Sequence, residues 1–230
     1  MTGPFSLGWN SYASGPPLRS SREGTTSPTE ILHLGIAFAV LTLDFVFLYG
    51  GLAVYDPGTE ALLVAIAAAA ALTGFVAHEM GHKFSAQRRG YWAEFRLSLV
   101  GLLISVVTAA IGFLFAAPGA TVIDGAADER DMGRISLAGP ATNFAFSLTF
   151  LAGAFVAGAF AAGALLSLAF LFLAYINAWF AAFNMIPIGP LDGRKVYRWS
   201  GGVWLATFIV FAALAGWLFY IFNYAPLPSL

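Results

Sequence analysis

The sequence predicts an all-α polytopic membrane protein: five transmembrane helices plus one membrane-re-entrant segment at about residues 97–118, possibly partly β. Two observations carry that fold class and a third refines it. The chain is 59% hydrophobic and only 10% charged, with a mean hydropathy of +0.79, far above the apolar share of a soluble domain. It also holds several uncharged runs long enough to cross a hydrocarbon core of ~30 Å. Finally, all eleven Lys and Arg residues fall on one side of the bilayer only if residues 97–118 enter and leave by the same face.

Residues 1–30 are rich in Gly, Ser, Thr and Pro, show no sustained apolar period, and read as a flexible polar tail. The first apolar run comes only after this tail and lacks a small-residue cleavage site, so a removable signal peptide is not expected. The first span, Ile31 to Ala53, carries His33 at one end, where the helix is wet, and Asp44 near mid-membrane. A carboxyl at that depth must face the bundle interior or stay protonated, and a hydrogen bond to a neighbouring helix is its expected role. Asp56, Pro57 and Gly58 turn the chain into the second span, Ala61 to about Arg88. Further spans are expected at about Ile135 to Phe160, Leu165 to Met185 and Val203 to Tyr224, with a short tail at 225–230. Residues 31–224 thus form a single membrane-embedded domain. The absence of cysteine excludes disulfides, thiolate metal sites and a cysteine nucleophile. No basic patch interleaved with aromatics is present, so no nucleic-acid partner is expected.

The second span ends in His78, Glu79, Met80, Gly81 and His82. Imidazoles four residues apart on a helix lie on one face and can reach a single metal ion, while the Glu between them stays close enough to work on a metal-bound water. A structural histidine pair is the competing explanation, but two His and a Glu on adjacent turns in hydrocarbon are expensive to keep without a function. A second constellation lies at Phe183 to Val196, FNMIPIGPLDGRKV. Here Asn184, Pro187, Gly189 and Pro190 end an apolar helix and deliver Asp192 beside Arg194, Lys195 and Arg198. An acidic residue at such a break is a natural third ligand, leaving the fourth tetrahedral position for water. By itself a turn of this kind is more often a cap; beside HEMGH in one apolar chain it becomes a ligand candidate.

If His82 and Asp192 are to meet at one ion, an even number of crossings must separate them. Counting residues 97–118 as a span gives an odd number, and it would also split the basic residues, with Arg19, Arg22, Lys83, Arg88, Arg89 and Arg96 opposed to Arg130, Arg134, Arg194, Lys195 and Arg198. The alternative of six spanning helices is therefore disfavoured. The β-branched Ile104, Val106, Val107, Thr108 and Ile111 permit extended structure in the re-entrant stretch, and a re-entrant helix fits nearly as well.

The chain resembles the site-2 protease family of intramembrane zinc metalloproteases, in a compact form. It carries HExxH as His78, Glu79 and His82, and NxxPxxxLDG as Asn184, Pro187, Leu191, Asp192 and Gly193. An AGPATN segment, Ala138 to Asn143, resembles the opening of the family's central helix. The resemblance covers about Ile31 to Arg198. It implies that His78, His82 and Asp192 bind one Zn2+, that Glu79 is the general base, and that Asn184 helps hold the substrate strand or the oxyanion. Ligand type alone would also suit iron. The implied activity is a zinc metalloendopeptidase that hydrolyses peptide bonds in or near transmembrane segments of membrane-protein substrates. The implied partners are such substrates and the lipid bilayer, with the oligomeric state left open. The expected location is the cell membrane, with the N-terminus and the active-site opening on the cytoplasmic side. No segment has room for an inserted PDZ domain or a CBS-like extension. A metal transporter or a non-catalytic scaffold could use the same ligand set. Transport, however, needs a polar route beyond the site, and apart from Asp44 the outer helix halves offer little.

Overall fold

A computed structural model describes residues 26–49, 56–114, 118–125, 127–159 and 163–224. Its elements, in order, are α1 (Pro28–Leu48), α2 (Pro57–Ala71), a π-helical turn (Leu72–Val76), α3 (Ala77–Gln87), β1 (Trp92–Leu97), α4 (Leu99–Ala110), β2 (Gly119–Asp124), α5 (Glu129–Gly158), α6 (Ala164–Asn184), α7 (Asp192–Trp199) and α8 (Gly201–Tyr224). Among the described residues, five helices are long and apolar enough to cross a membrane: α1, the continuous rod Pro57–Gln87, α5, α6 and α8. The chain is an all-α integral membrane protein with one small two-stranded ribbon. Residues 1–25 and 225–230, the bulk of the expected tails, lie outside the described residues, as does Phe160.

The first span starts upstream of Ile31. Ser27 caps α1 by accepting a hydrogen bond from the Glu30 amide at 3.1 Å, and Pro28 takes the first helical position. Residues 26–30, expected to be tail, are therefore docked, and Glu30 is fully buried. Asp56 caps the rod in the same manner.

The stretch 97–118 does not cross. β1 and β2 pair antiparallel from Trp92↔Asp124 to Leu97↔Gly119, and the Ser98 amide donates to the Pro118 carbonyl at 2.7 Å. Its two ends are thus one strand spacing apart, ~4.8 Å, rather than a bilayer core apart, ~30 Å. The six-span alternative fails on this pairing. Extended structure flanks the re-entrant segment instead of filling it. Ile104, Val106, Val107 and Thr108 are helical, because a segment entering hydrocarbon must satisfy its own backbone hydrogen bonds, and helix does this within one strand of chain where β-branching alone cannot. α4 turns Gly101, Ser105 and Ala109 inward and leaves Leu99, Val100, Leu103 and Val107 outward. Asp44 on α1 is buried, so its carboxyl does face the bundle interior, and its Oδ2 has no hydrogen-bond partner among the described residues.

The main apolar cluster joins α1, the rod, β1 and α6 through Leu41, Phe45, Phe75, Phe95, Leu173 and Phe180. A second cluster seats α7 and α8 against α5 and α6 through Phe144, Ala181, Met185, Val196 and Phe211.

Candidate metal centre

His78 and His82 stand one turn apart on α3, both buried, with their Nε2 atoms 3.0 Å apart. Asp192 Oδ2 lies 3.3 Å from His78 Nε2 and 3.1 Å from His82 Nε2. Ligand atoms at the corners of a tetrahedral zinc site, with bonds of 2.0–2.1 Å, sit ~3.3 Å from one another. The triangle drawn by these three side chains therefore has the size one ion requires.

The outer ring nitrogens explain why the inner ones converge. His78 Nδ1 is 2.5 Å from Asn143 Oδ1, and His82 Nδ1 is 2.8 Å from the Ile135 carbonyl oxygen. Both partners only accept, so each imidazole carries its proton on Nδ1 and turns the Nε2 lone pair inward. The Asn143 orientation is itself fixed, since its Nδ2 donates to the Thr73 and Gly74 carbonyls at 3.2 and 2.9 Å. Two lone pairs and a carboxylate oxygen facing each other at this range repel unless a positive charge lies among them. That donor set fits Zn2+.

Local sequence builds each part. The π-helical turn at Leu72–Val76, one turn before His78, tilts the carbonyls of Thr73 and Gly74 out of the helical ladder, where Asn143 meets them. Asn177 on α6 extends the same network by accepting from Asn143 Nδ2 and donating to the Thr73 hydroxyl. α5 passes directly behind the imidazoles at Gly139, where a Cβ would lie 2.4 Å from His82 Nε2 and 2.6 Å from His78 Nε2. Asp192 does not sit at the end of α6, as expected, but opens α7, with Leu191 in the N-cap position. Gly193 allows this, because a Cβ there would meet the Met185 carbonyl at 2.0 Å. Lys195 Nζ lies 3.6 Å from Asp192 Oδ1 and brings a positive charge to the outer side of the carboxylate.

Glu79 is beside the ligands, within 4.8 Å of the histidines. Its Oε2 accepts two hydrogen bonds from one residue of β2, the Thr121 amide and the Thr121 hydroxyl, each at 2.8 Å. Asn184 is the last residue of α6 and its Nδ2 donates back to the Phe180 carbonyl at 3.0 Å. It lines a cavity of about 120 Å³ together with Glu79, Thr121, Phe183, Leu191 and Lys195, ample for several waters.

Sequence reasoning thus names the residues that the fold gathers, but not their supports. Asn143 is visible only as part of the AGPATN segment, and Asn177, Thr121 and the Ile135 carbonyl are missed. An Asn in the middle of an apolar run is the signal that could have found Asn177, since an unpaired amide is costly there.

The chain is 36% identical over 198 residues to the protein named "Putative zinc metalloprotease MJ0611" from Methanocaldococcus jannaschii, covering 85% of this chain and 95% of that one. It is 32% identical over 173 residues to "Putative zinc metalloprotease Rip3" from Mycobacterium tuberculosis, covering 72% of this chain and 40% of that longer protein. No family model matches the chain, and no solved structure does. The cofactor is Zn2+, as the donor set and these relatives agree. With most of both chains aligned to the Methanocaldococcus jannaschii relative and a zinc-sized triangle of candidate ligands buried among its helices, the chain belongs to the zinc metalloprotease family of these relatives.

Proposed function

We propose that the protein is a site-2-protease-type intramembrane metalloendopeptidase, cleaving peptide bonds in or near transmembrane segments of membrane-protein substrates, as in regulated intramembrane proteolysis. The observation that carries this reading is the meeting of three elements at one cavity: the His78, His82 and Asp192 triangle, the Glu79 carboxylate, and the outer edge of a β-strand. A transporter needs the first of these and has no use for the other two.

When bound, zinc supplies Lewis-acid activation, lowering the pKa of a water to ~7 and polarising a carbonyl. His78, His82 and Asp192, which line the cavity, would hold the ion. Glu79 takes the proton from the attacking water and returns it to the leaving amine, the general-base and general-acid roles of one carboxylate. A transmembrane helix has its amides already paired, so the scissile segment must unwind, and an extended strand can recover its hydrogen bonds by adding to the edge of β2. Asn184 lines the approach and would steady the strand once its carboxamide turns from Phe180. The basic residues around the site support a mouth at the cytoplasmic face of the cell membrane, where water would enter.

The test is cleavage of a panel of single-span membrane proteins by the purified protein in detergent. Cleavage that stops with a chelator and returns with zinc is expected. Glu79→Gln should abolish turnover while zinc stays bound. Full activity of that variant, or chelator-resistant cleavage, would overturn the reading.

A further inference from the structure

We infer that Thr121 is a positioning residue for Glu79, and that its amide is a latch which an incoming substrate strand opens. This rests on the protease reading above.

The antiparallel register assigns the direction of each backbone group. On β1, the Phe95 amide donates to Glu30 Oε1 at 2.9 Å and the Leu97 amide to His33 Nδ1 at 3.3 Å. Phe95 and Leu97 thus turn their main-chain groups away from β2, toward α1. In an antiparallel pair, residues opposite each other share this property, so Thr121, opposite Phe95, also turns its amide away from the ribbon, on the far edge. That edge faces the metal centre, and the acceptor it meets is Glu79 Oε2. β1 is covered by α1, so the outer edge of β2 is where an extended peptide can add.

Two donors from one residue therefore hold the base, and they differ in kind. The Thr121 amide belongs to the strand edge and is what a substrate carbonyl would claim on pairing. The hydroxyl, 2.8 Å from Oε2, belongs to the side chain and stays with Glu79 after the amide is taken. Before substrate arrives, both donors draw the carboxylate onto β2. Strand addition removes one of them and frees part of the carboxylate's accepting capacity for water, just as a peptide comes within reach. The hydroxyl keeps the carboxylate aimed through the step.

Thr121→Val keeps the shape and the amide but deletes the hydroxyl. Loss of a hydrogen bond to a charged group is expected to lower kcat ~10- to 100-fold, with KM unchanged, because the hydroxyl does not touch substrate. Thr121→Ser should recover most of that loss, and zinc content should be unaltered in both. A second measurement needs no turnover: amide hydrogen exchange in zinc-loaded protein. Glu79→Ala should accelerate exchange at Thr121 by ~10-fold or more, while the Val122 amide, which faces β1, stays protected. An excess of a synthetic peptide with the transmembrane segment of a cleaved member of the single-span panel should restore protection at Thr121 in that variant. Unchanged kcat in Thr121→Val, or Thr121 exchange indifferent to Glu79→Ala, would overturn the proposal. Absence of any cleavage by the wild type with an intact exchange response would instead sink the protease reading, and with it the latch's role toward substrate, while the hold of Thr121 on Glu79 would stand.

Discussion

The two halves that meet at the cavity are held by opposite means. The metal half consists of α3, α5, α6 and the start of α7. It is cemented from within: Asn143 and Asn177 cross-link three helices, every polar group in that network has a partner, Gly139 brings backbone against both imidazoles, and Gly193 packs the start of α7 against the Met185 carbonyl. The re-entrant half, β1, α4 and β2, is held from outside and chiefly at its base. There Glu30 receives the Lys83 ammonium and the Phe95 amide, His33 receives the Leu97 amide, and Ser27 donates to Glu94 at 2.8 Å. Beyond that base, α4 turns a broad apolar face away from the protein; Leu99 and Ile111 are 71% and 76% exposed. A site that must hold an ion to a few tenths of an ångström is built without slack, while the element proposed to receive substrate is clamped along one strand and left open along the other.

If this contrast is right, substitutions should damage one half and spare the other. The largest effect is expected from Gly139→Ala. In an ordinary helix this change is stabilising by ~1 kcal/mol, yet here the new methyl would lie 2.4 Å from His82 Nε2 and 2.6 Å from His78 Nε2. Purified Gly139→Ala should contain essentially no zinc by elemental analysis while its thermal transition stays near that of the metal-stripped wild type. Zinc bound at full stoichiometry would show that the metal half has more slack than its packing implies.

Next in size is the clamp. Lys83 and Glu30 are 1% and 0% exposed and paired with each other. Removing one partner of a buried ion pair costs ~3–5 kcal/mol, because the other charge is left stranded. Lys83→Met should therefore lower the unfolding midpoint in detergent strongly, whereas Lys83→Met with Glu30→Gln should recover much of the loss, since Gln can still accept from the Phe95 amide. The fraction that remains folded should bind zinc normally. A double variant no better than Lys83→Met alone would mean that the charge pair is not what anchors the ribbon.

How legible these halves are in the sequence follows from the range of the interactions. The candidate ligands sit on one helix face at a fixed spacing, or next to a Pro-Gly break, and so the candidacy of His78, His82 and Asp192 can be read from local pattern and helix geometry. The re-entrant turn is legible for a different reason: charge asymmetry and crossing parity are global constraints that need no contact map. Supports such as Asn143 to His78, sixty-five residues apart, have no local signature. The π-helical turn is invisible for a related reason, since Leu72–Val76 differs little in composition from the helix around it, and only Asn143 on another helix makes the displaced carbonyls worth displacing. Tertiary context likewise overrode the β-branched run in α4, where the need to satisfy the backbone decided for helix.

The smallest expected effect separates orientation of the ligand from cohesion of the helices. Asn143 does both, its oxygen accepting from His78 and its nitrogen donating to Thr73, Gly74 and Asn177. Asn143→Ala removes both roles, and loss of such an outer partner weakens metal binding by ~10- to 100-fold. Competition with a chromophoric chelator measures it directly. Asn143→Asp keeps an acceptor for His78 Nδ1 but turns a carboxylate oxygen toward carbonyls that only accept. It should therefore hold zinc more tightly than Asn143→Ala and unfold at least as readily. Hydrogen exchange at Thr121 should be the same in both as in the wild type, because that amide belongs to the other half of the cavity. A shift at Thr121 would show that the two halves move as one body, and the open edge of β2 would then owe its position to the metal centre and not to the clamp on α1.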